Sequence, residues 1–117
     1  IVLYREVYLE RAVELPCNIT PSLPADRTTL VLWFKNDSLT PFYTYDRTKN
    51  STNPVHWTDP KIEIANRSFF QTSSEMAHLV VQGVQLEDMS EYRCRVDFEQ
   101  QPTFIQTVFL RVIGDST

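Results

Sequence analysis

Glycine is nearly missing from this chain: Gly83 and Gly114 are the only two in 117 residues. Loops that cradle phosphate through bare backbone, and the strained elbow that lifts a nucleophilic serine, both need glycines a few residues apart, and these two stand far from each other. Basic charge is short as well. Eleven Lys and Arg face fifteen Asp and Glu, for a net charge of −4, so the concentrated basic face that nucleic acid requires is lacking. No uncharged apolar run approaches the roughly 20 residues of a membrane span. A basic-then-apolar leader is also missing, so the sequence is expected to be a mature segment or a piece of something longer. There are two histidines, His56 and His78. Neither stands at metal-ligand spacing from a cysteine or from the other. Both read as ordinary strand or surface residues. Of the clustered acids Glu87, Asp88 and Glu91, the first and last read as solvated. No enzymatic activity, cofactor or metal is expected.

What is present suffices for a packed domain. Hydrophobic residues make up 42% and aromatics 12%, and the length suits one domain. The only cysteines, Cys17 and Cys94, stand 77 positions apart. In the cytosol they would be thiols; in a secreted β-domain they would form one long-range disulfide. Closing a loop of that size constrains the unfolded chain by about 4–5 kcal/mol in the chain-entropy model. Compartment can be argued separately. Asn-X-Ser/Thr triplets begin at Asn18, Asn36, Asn50 and Asn66. Four in so short a chain point to a secreted or cell-surface glycoprotein carrying N-linked glycans. Pro21 directly follows the first triplet and disfavours its use.

The hydrophobic pattern has period two, not 3.6. Val13, Leu15, Cys17 and Ile19 alternate with Glu14, Pro16 and Asn18, and Val31 and Trp33 with Leu32 and Phe34. Leu79 and Val81, then Tyr92, Cys94 and Val96, then Val108, Leu110 and Val112 behave alike. Short strands broken by "TPSLPADRT", "NDSLTP", "TKNSTNP" and "EQQPT" predict an antiparallel sandwich. Trp33 follows Cys17 by 16 positions, and Tyr92 stands two before Cys94. These are the marks of an immunoglobulin sandwich: cysteines on strands B and F, a buried indole on strand C, and a tyrosine corner. Asp88, four before Tyr92, pairs in such domains with an arginine at the start of strand D, and Arg67 fits that role. The long gap between the cysteines leaves room for strands C′ and C″. The expected fold is therefore all-β, an immunoglobulin variable-type (V-set) antiparallel β-sandwich with one inter-sheet disulfide. Antigen-receptor variable domains carry a Gly-X-Gly bulge on strand G, and neither glycine of this chain lies there.

Strand parity then locates a binding face, because neighbouring side chains point to opposite sides of a sheet. If Tyr92, Cys94 and Val96 face the core, Arg93, Arg95 and Asp97 face out. Leu32 and Phe34 do the same on strand C, and Phe109 on strand G. Strand C′ is expected to add some of Phe42, Tyr43 and Tyr45. Apolar anchors mixed with arginines are the composition of a protein interface.

The stretch "LVLWFKNDSLTPFYTYD", Leu30 to Asp46, with "EYRCRVDF" and the following Pro102–Thr103, resembles the first immunoglobulin domain of the insect Sidestep family. "ELPCNITP", Glu14 to Pro21, is similar to the same family's strand B. The resemblance covers nearly the whole chain. It implies a V-type domain over residues 1–113, with 114–117 starting a linker to a following domain. It implies a single-pass cell-surface protein whose outermost domain binds Beaten-path receptors, themselves cell-surface immunoglobulin-superfamily proteins, in axon guidance and synaptic partner choice. A second reading stays open: a V-type lectin gripping a sialic-acid carboxylate with Arg95, a strand F position. Such lectins usually lack a strand F cysteine. A third is a spacer domain with no partner.

Overall fold

The computed structural model describes residues 2–50, 52–73 and 76–114. Nine strands run through the described residues: β1 (Val2–Tyr8), β2 (Val13–Cys17), β3 (Thr28–Lys35), β4 (Tyr43–Asp46), β5 (Val55–Thr58), β6 (Ser68–Gln71), β7 (Ala77–Val81), β8 (Ser90–Phe98) and β9 (Phe104–Ile113). They form a six-stranded sheet in the order β1-β9-β8-β3-β4-β5 and a three-stranded sheet in the order β2-β7-β6. All pairings are antiparallel except β1 with β9, which is parallel. β4 and β5 occupy the places of strands C′ and C″, which makes this the nine-strand variable type. Of the expected linker start, Gly114 follows β9 directly; residues 115–117 lie outside the described residues.

Alternation builds the core. Val31, Trp33, Tyr92, Cys94, Val96 and Val108 on the large sheet, and Leu15, Cys17, Leu79 and Val81 on the small one, are all fully buried. Cys17 and Cys94 are joined in a disulfide across the two sheets. Trp33 lies opposite Cys94 in the β3–β8 register and meets Phe70 edge-on at 6.3 Å between ring centroids. Gln106, inward on β9, reaches the Cys17 sulfur at 3.4 Å and holds the Asn18 backbone in both directions, accepting at 2.8 Å and donating at 3.0 Å.

Three polar clasps close the sandwich. At one end Arg67 grips Asp88 with both forks, Nη1 to Oδ2 at 2.9 Å and Nη2 to Oδ1 at 3.0 Å. It also donates to Glu63 at 2.6 and 2.8 Å and to the carbonyls of Gln82 and Gly83. Hydrogen bonds to Glu63 and Asp88 hold the Arg67 guanidinium above its ordinary pKa. Gly83 makes this turn possible, since its φ of +56° suits a residue without Cβ. Tyr92 donates its hydroxyl to the Asp88 carbonyl; burial, reinforced by the Asp88 charge, raises the phenol pKa. At the other end the buried Asp26 accepts the backbone N–H groups of Arg27, Gln100 and Gln101 at 2.8–2.9 Å, tying the approach to β3 to the β8–β9 turn. Along the β5–β6 edge, Tyr43 accepts the Phe70 N–H at 2.9 Å and shares a hydrogen bond with His56 Nδ1.

A candidate protein-docking face

The outer face of the six-stranded sheet can be assembled pair by pair from the strand registers. Trp57 stands opposite Thr44, Thr44 opposite Leu32, Leu32 opposite Arg95, and Arg95 opposite Ile105. One row across five strands is thus aromatic, small, aliphatic, cationic and aliphatic. The next row runs Phe34, Arg93, Thr107 and Val2. Beyond it Tyr4 stacks on Phe109 at 5.4 Å. Trp57 is 49% exposed and Ile105 52%, while Tyr4 and Val2 are also open. This much apolar surface on a sheet face exceeds the scattered hydrophobics of an ordinary exterior.

The charged residues among them are held in place. Arg95 forks onto Asp97 at 3.0 and 3.2 Å, and Thr103 donates to the same carboxylate at 2.8 Å. Arg93 lies over the Phe34 ring, 5.1 Å from its centroid. Its Nη2 donates to the carbonyls of Asn36 and Ser38, each at 3.0 Å. Between these side chains lies a hollow of about 220 Å³, lined by Phe34, Ser38, Leu39, Arg93, Arg95 and Ile105. An apolar floor beside fixed guanidinium groups is suited to a side chain of another protein. Among the described residues no group of three or more His, Cys, Asp and Glu is placed to hold a metal.

Four of the expected contact residues need correcting. Tyr43 and Tyr45 are buried, because the β3–β4 register sets them opposite Trp33 and Val31 on the inner side. Phe42, just before β4, is also buried and meets Tyr92 edge-on. Thr44 is the β4 residue that faces out with Leu32 and Trp57. Phe34 lies on the outer face but is only 9% exposed, because Arg93 covers it. It forms a floor and does not project. Leu32 and Asp97 are half-buried, Arg93 likewise, and Arg95 and Phe109 are exposed.

Sequence reasoning passed over Trp57, Ile105, Tyr4 and Leu39. The parity argument that placed Phe109 outward also covers Ile105, and Thr44 leads to Trp57 once the β4–β5 register is known. His56 was read as an ordinary residue. It packs edge-on against Tyr45, stacks on Phe69 at 4.8 Å, and bonds to Tyr43.

The four Asn-X-Ser/Thr asparagines are all exposed. Asn18 follows β2 and Asn66 lies in the short 3₁₀ turn before β6, both on the three-stranded side. Asn36 and Asn50 sit in the loops on either side of β4.

This fold recurs among solved structures. The extracellular domain of the voltage-gated sodium channel β4 subunit superposes with a TM-score of 0.72 at 18% identity, over 97% of this chain and 92% of that one. The first immunoglobulin-like domain of human CD48 gives 0.71 at 22%, over 99% and 85%. Murine CEACAM1b gives 0.69 at 19%, over 96% of this chain and 51% of that one. Likeness at such identities establishes fold alone. No curated protein sequence matches the chain. The model of the immunoglobulin V-set domain matches residues 3–113, nearly the full length, and with its two sheets, C′ and C″ strands and inter-sheet disulfide the chain belongs to the immunoglobulin V-set family.

Proposed function

We propose that this domain is an extracellular cell-recognition module of a membrane-anchored protein, and that it docks a cell-surface immunoglobulin-superfamily receptor through the outer face of its six-stranded sheet. The Sidestep-like stretches at Leu30–Asp46 and Glu91–Phe98 make that receptor a Beaten-path-like protein, in axon guidance or synaptic partner choice. The observation that carries the reading is the row Trp57, Leu32, Arg95 and Ile105, with both arginines of β8 held in fixed positions. The structural relatives lend support in kind. The sodium channel β4 domain is described as forming parallel homodimers that explain its role in cell–cell adhesion.

The lectin alternative fits less well. A sialic-acid carboxylate needs a free guanidinium fork, and Asp97 occupies both Nε and Nη2 of Arg95. A sialoglycan array therefore returns no binding.

Surface plasmon resonance against Beaten-path-like ectodomains tests the proposal. Face-to-face pairing would bury roughly 1,200–2,000 Å² in total. Arg95→Glu then weakens binding by more than about 2 kcal/mol, since it reverses a charge inside the contact. Val80→Glu, on the outer side of β7, leaves binding nearly unchanged. The opposite pattern would move the site to the other sheet.

A further inference from the structure

The loop from Asn36 to Pro41, between β3 and β4, is built as a rigid projection. Asn36 turns it with a φ of +56°. Its N–H is anchored on the Glu91 carbonyl at 2.7 Å, the Ser38 N–H on the Lys35 carbonyl at 3.2 Å, and the Ser38 hydroxyl on the Thr40 carbonyl at 2.9 Å. Arg93 clamps the carbonyls of Asn36 and Ser38 from below. At the tip Leu39 is 93% exposed. A leucine held upright in water by this many hydrogen bonds is not explained by anything within the domain.

Two charges beside it are unanswered. Asp37 is exposed and makes no hydrogen bond or ion pair among the described residues. Arg93 touches carbonyls and the Phe34 ring but no carboxylate. The two do not pair within the chain, although the Arg93 clamp brackets Asp37 on both sides. Leu39 also forms one wall of the hollow floored by Phe34 and flanked by Ile105. The loop thus carries an apolar knob and an anion, next to a slot with an apolar floor and a cation.

We propose that this surface is self-complementary and that the partner it fits is a second copy of this chain. About a two-fold axis beside the loop, Leu39 of each copy enters the slot of the other, and each Asp37 meets the Arg93 of the other. One patch serving both copies is the condition for a closed dimer. The contact is small beside a standard interface, so the association is weak and reversible. It does not depend on the receptor reading. The Asn-X-Ser triplet at Asn36 lies in the same loop, and a sugar there covers the seam; only copies without that sugar pair.

Sedimentation velocity on the chain produced without N-glycans tests this, with no receptor present. The expected result is a mass rising from 13.7 kDa toward twice that value as concentration is raised to about 1 mM. Leu39→Asp and Ile105→Asp, both at exposed positions, each hold the chain monomeric. Asp37→Arg and Arg93→Glu do so singly. An equimolar mixture of those two restores the dimer, because one seam keeps the native Asp37–Arg93 pair and the other carries it reversed. Should Arg93→Glu fail to fold, as read by its melting curve, Ile105→Asp alone decides the slot. A chain that stays monomeric throughout overturns the proposal, and so does a dimer that survives both Leu39→Asp and Ile105→Asp.

Discussion

The two outer faces of this sandwich share one core and differ in almost everything else. The six-stranded sheet shows Trp57, Leu32, Ile105, Phe109 and Tyr4 around a fixed pair of arginines. The three-stranded sheet shows Glu14, His78, Val80, Phe69 and Gln71, with Asn18 and Asn66 near its borders. Its exposed aromatic, Phe69, already has a partner in His56. Sheet width explains much of the contrast. Three strands offer little room for a contact of standard size, whereas the wider sheet offers a continuous surface. The parallel β1–β9 pairing lengthens that surface by a strand that brings Val2 and Tyr4 to the same side as Phe109.

The comparison collapses most completely if the faces lose their common backing. Trp33 is fully buried between the sheets. Trp33→Ala is expected to destabilise the domain by about 3–5 kcal/mol, the usual cost of a large aromatic truncated in a core. Urea unfolding followed in parallel by the fluorescence of the remaining Trp57, on the wide sheet, and by far-UV circular dichroism, which averages over both sheets, reads it. Both faces should be lost in one transition. A variant that kept one face folded while the other melted would show that the sheets are not one cooperative unit.

A smaller break falls on the Arg67–Asp88 clasp. Asp88 is almost completely buried, whereas Arg67 keeps about a fifth of its side chain in water. Removing the Asp88 carboxylate leaves Arg67 with the exposed Glu63 as its counter-charge and weakens the hold on the Gln85 N–H that Asp88 accepts at 2.8 Å. Asp88→Asn is therefore expected to cost about 3 kcal/mol, near the lower end for a broken buried pair, with Arg67→Met close behind. The double variant should cost less than the two single losses added together. Unchanged melting temperatures in both single variants would remove the clasp from the account. This break touches neither outer face, so the proposed docking by the folded fraction is expected to stay intact.

The framework and the sites differed in how readily they could be read from sequence. Cys17, Trp33, Tyr92 and Cys94 are spaced by the geometry of strands that must cross one core, and such spacings survive in the linear sequence. The outward direction of Arg93, Arg95 and Phe109 followed from the same period of two. Parity made no choice at β4, where some of Phe42, Tyr43 and Tyr45 are expected as surface anchors and all three prove buried. Tyr43 and Tyr45 alternate with Thr44 and Asp46, but Phe42 directly before them breaks the period of two. The pairing of Tyr43 with Trp33 decides it, and that pairing depends on a loop whose turn is made by a left-handed asparagine. Phe34 was placed on the correct side, but its covering by Arg93 depends on a cross-strand contact invisible to parity. Asp26 and Gln106 gave no signal, since each acts through backbone groups far away in the chain.

The smallest effect probes the edge where the two faces meet. Tyr43 accepts the Phe70 N–H and shares a second hydrogen bond with His56 Nδ1. The neutral ring completes a link from β5 on the wide sheet to β6 on the narrow one. Burial lowers the His56 pKa from its ordinary value. The unfolded chain therefore takes up the proton at a higher pH, near 6.5, than the folded one does. The stability this link contributes is fully present above about pH 6.5 and is lost as pH falls toward the depressed folded value. Melting temperatures of the native chain and of His56→Gln, taken from pH 8 to pH 5, isolate the contribution, because the two chains differ at that side chain alone. The difference between the two curves should be flat above about pH 7 and shrink below about 6.5. A difference that grows on acidification would mean that His56 is held protonated, and that the edge is closed by charge instead of by the tyrosine hydroxyl.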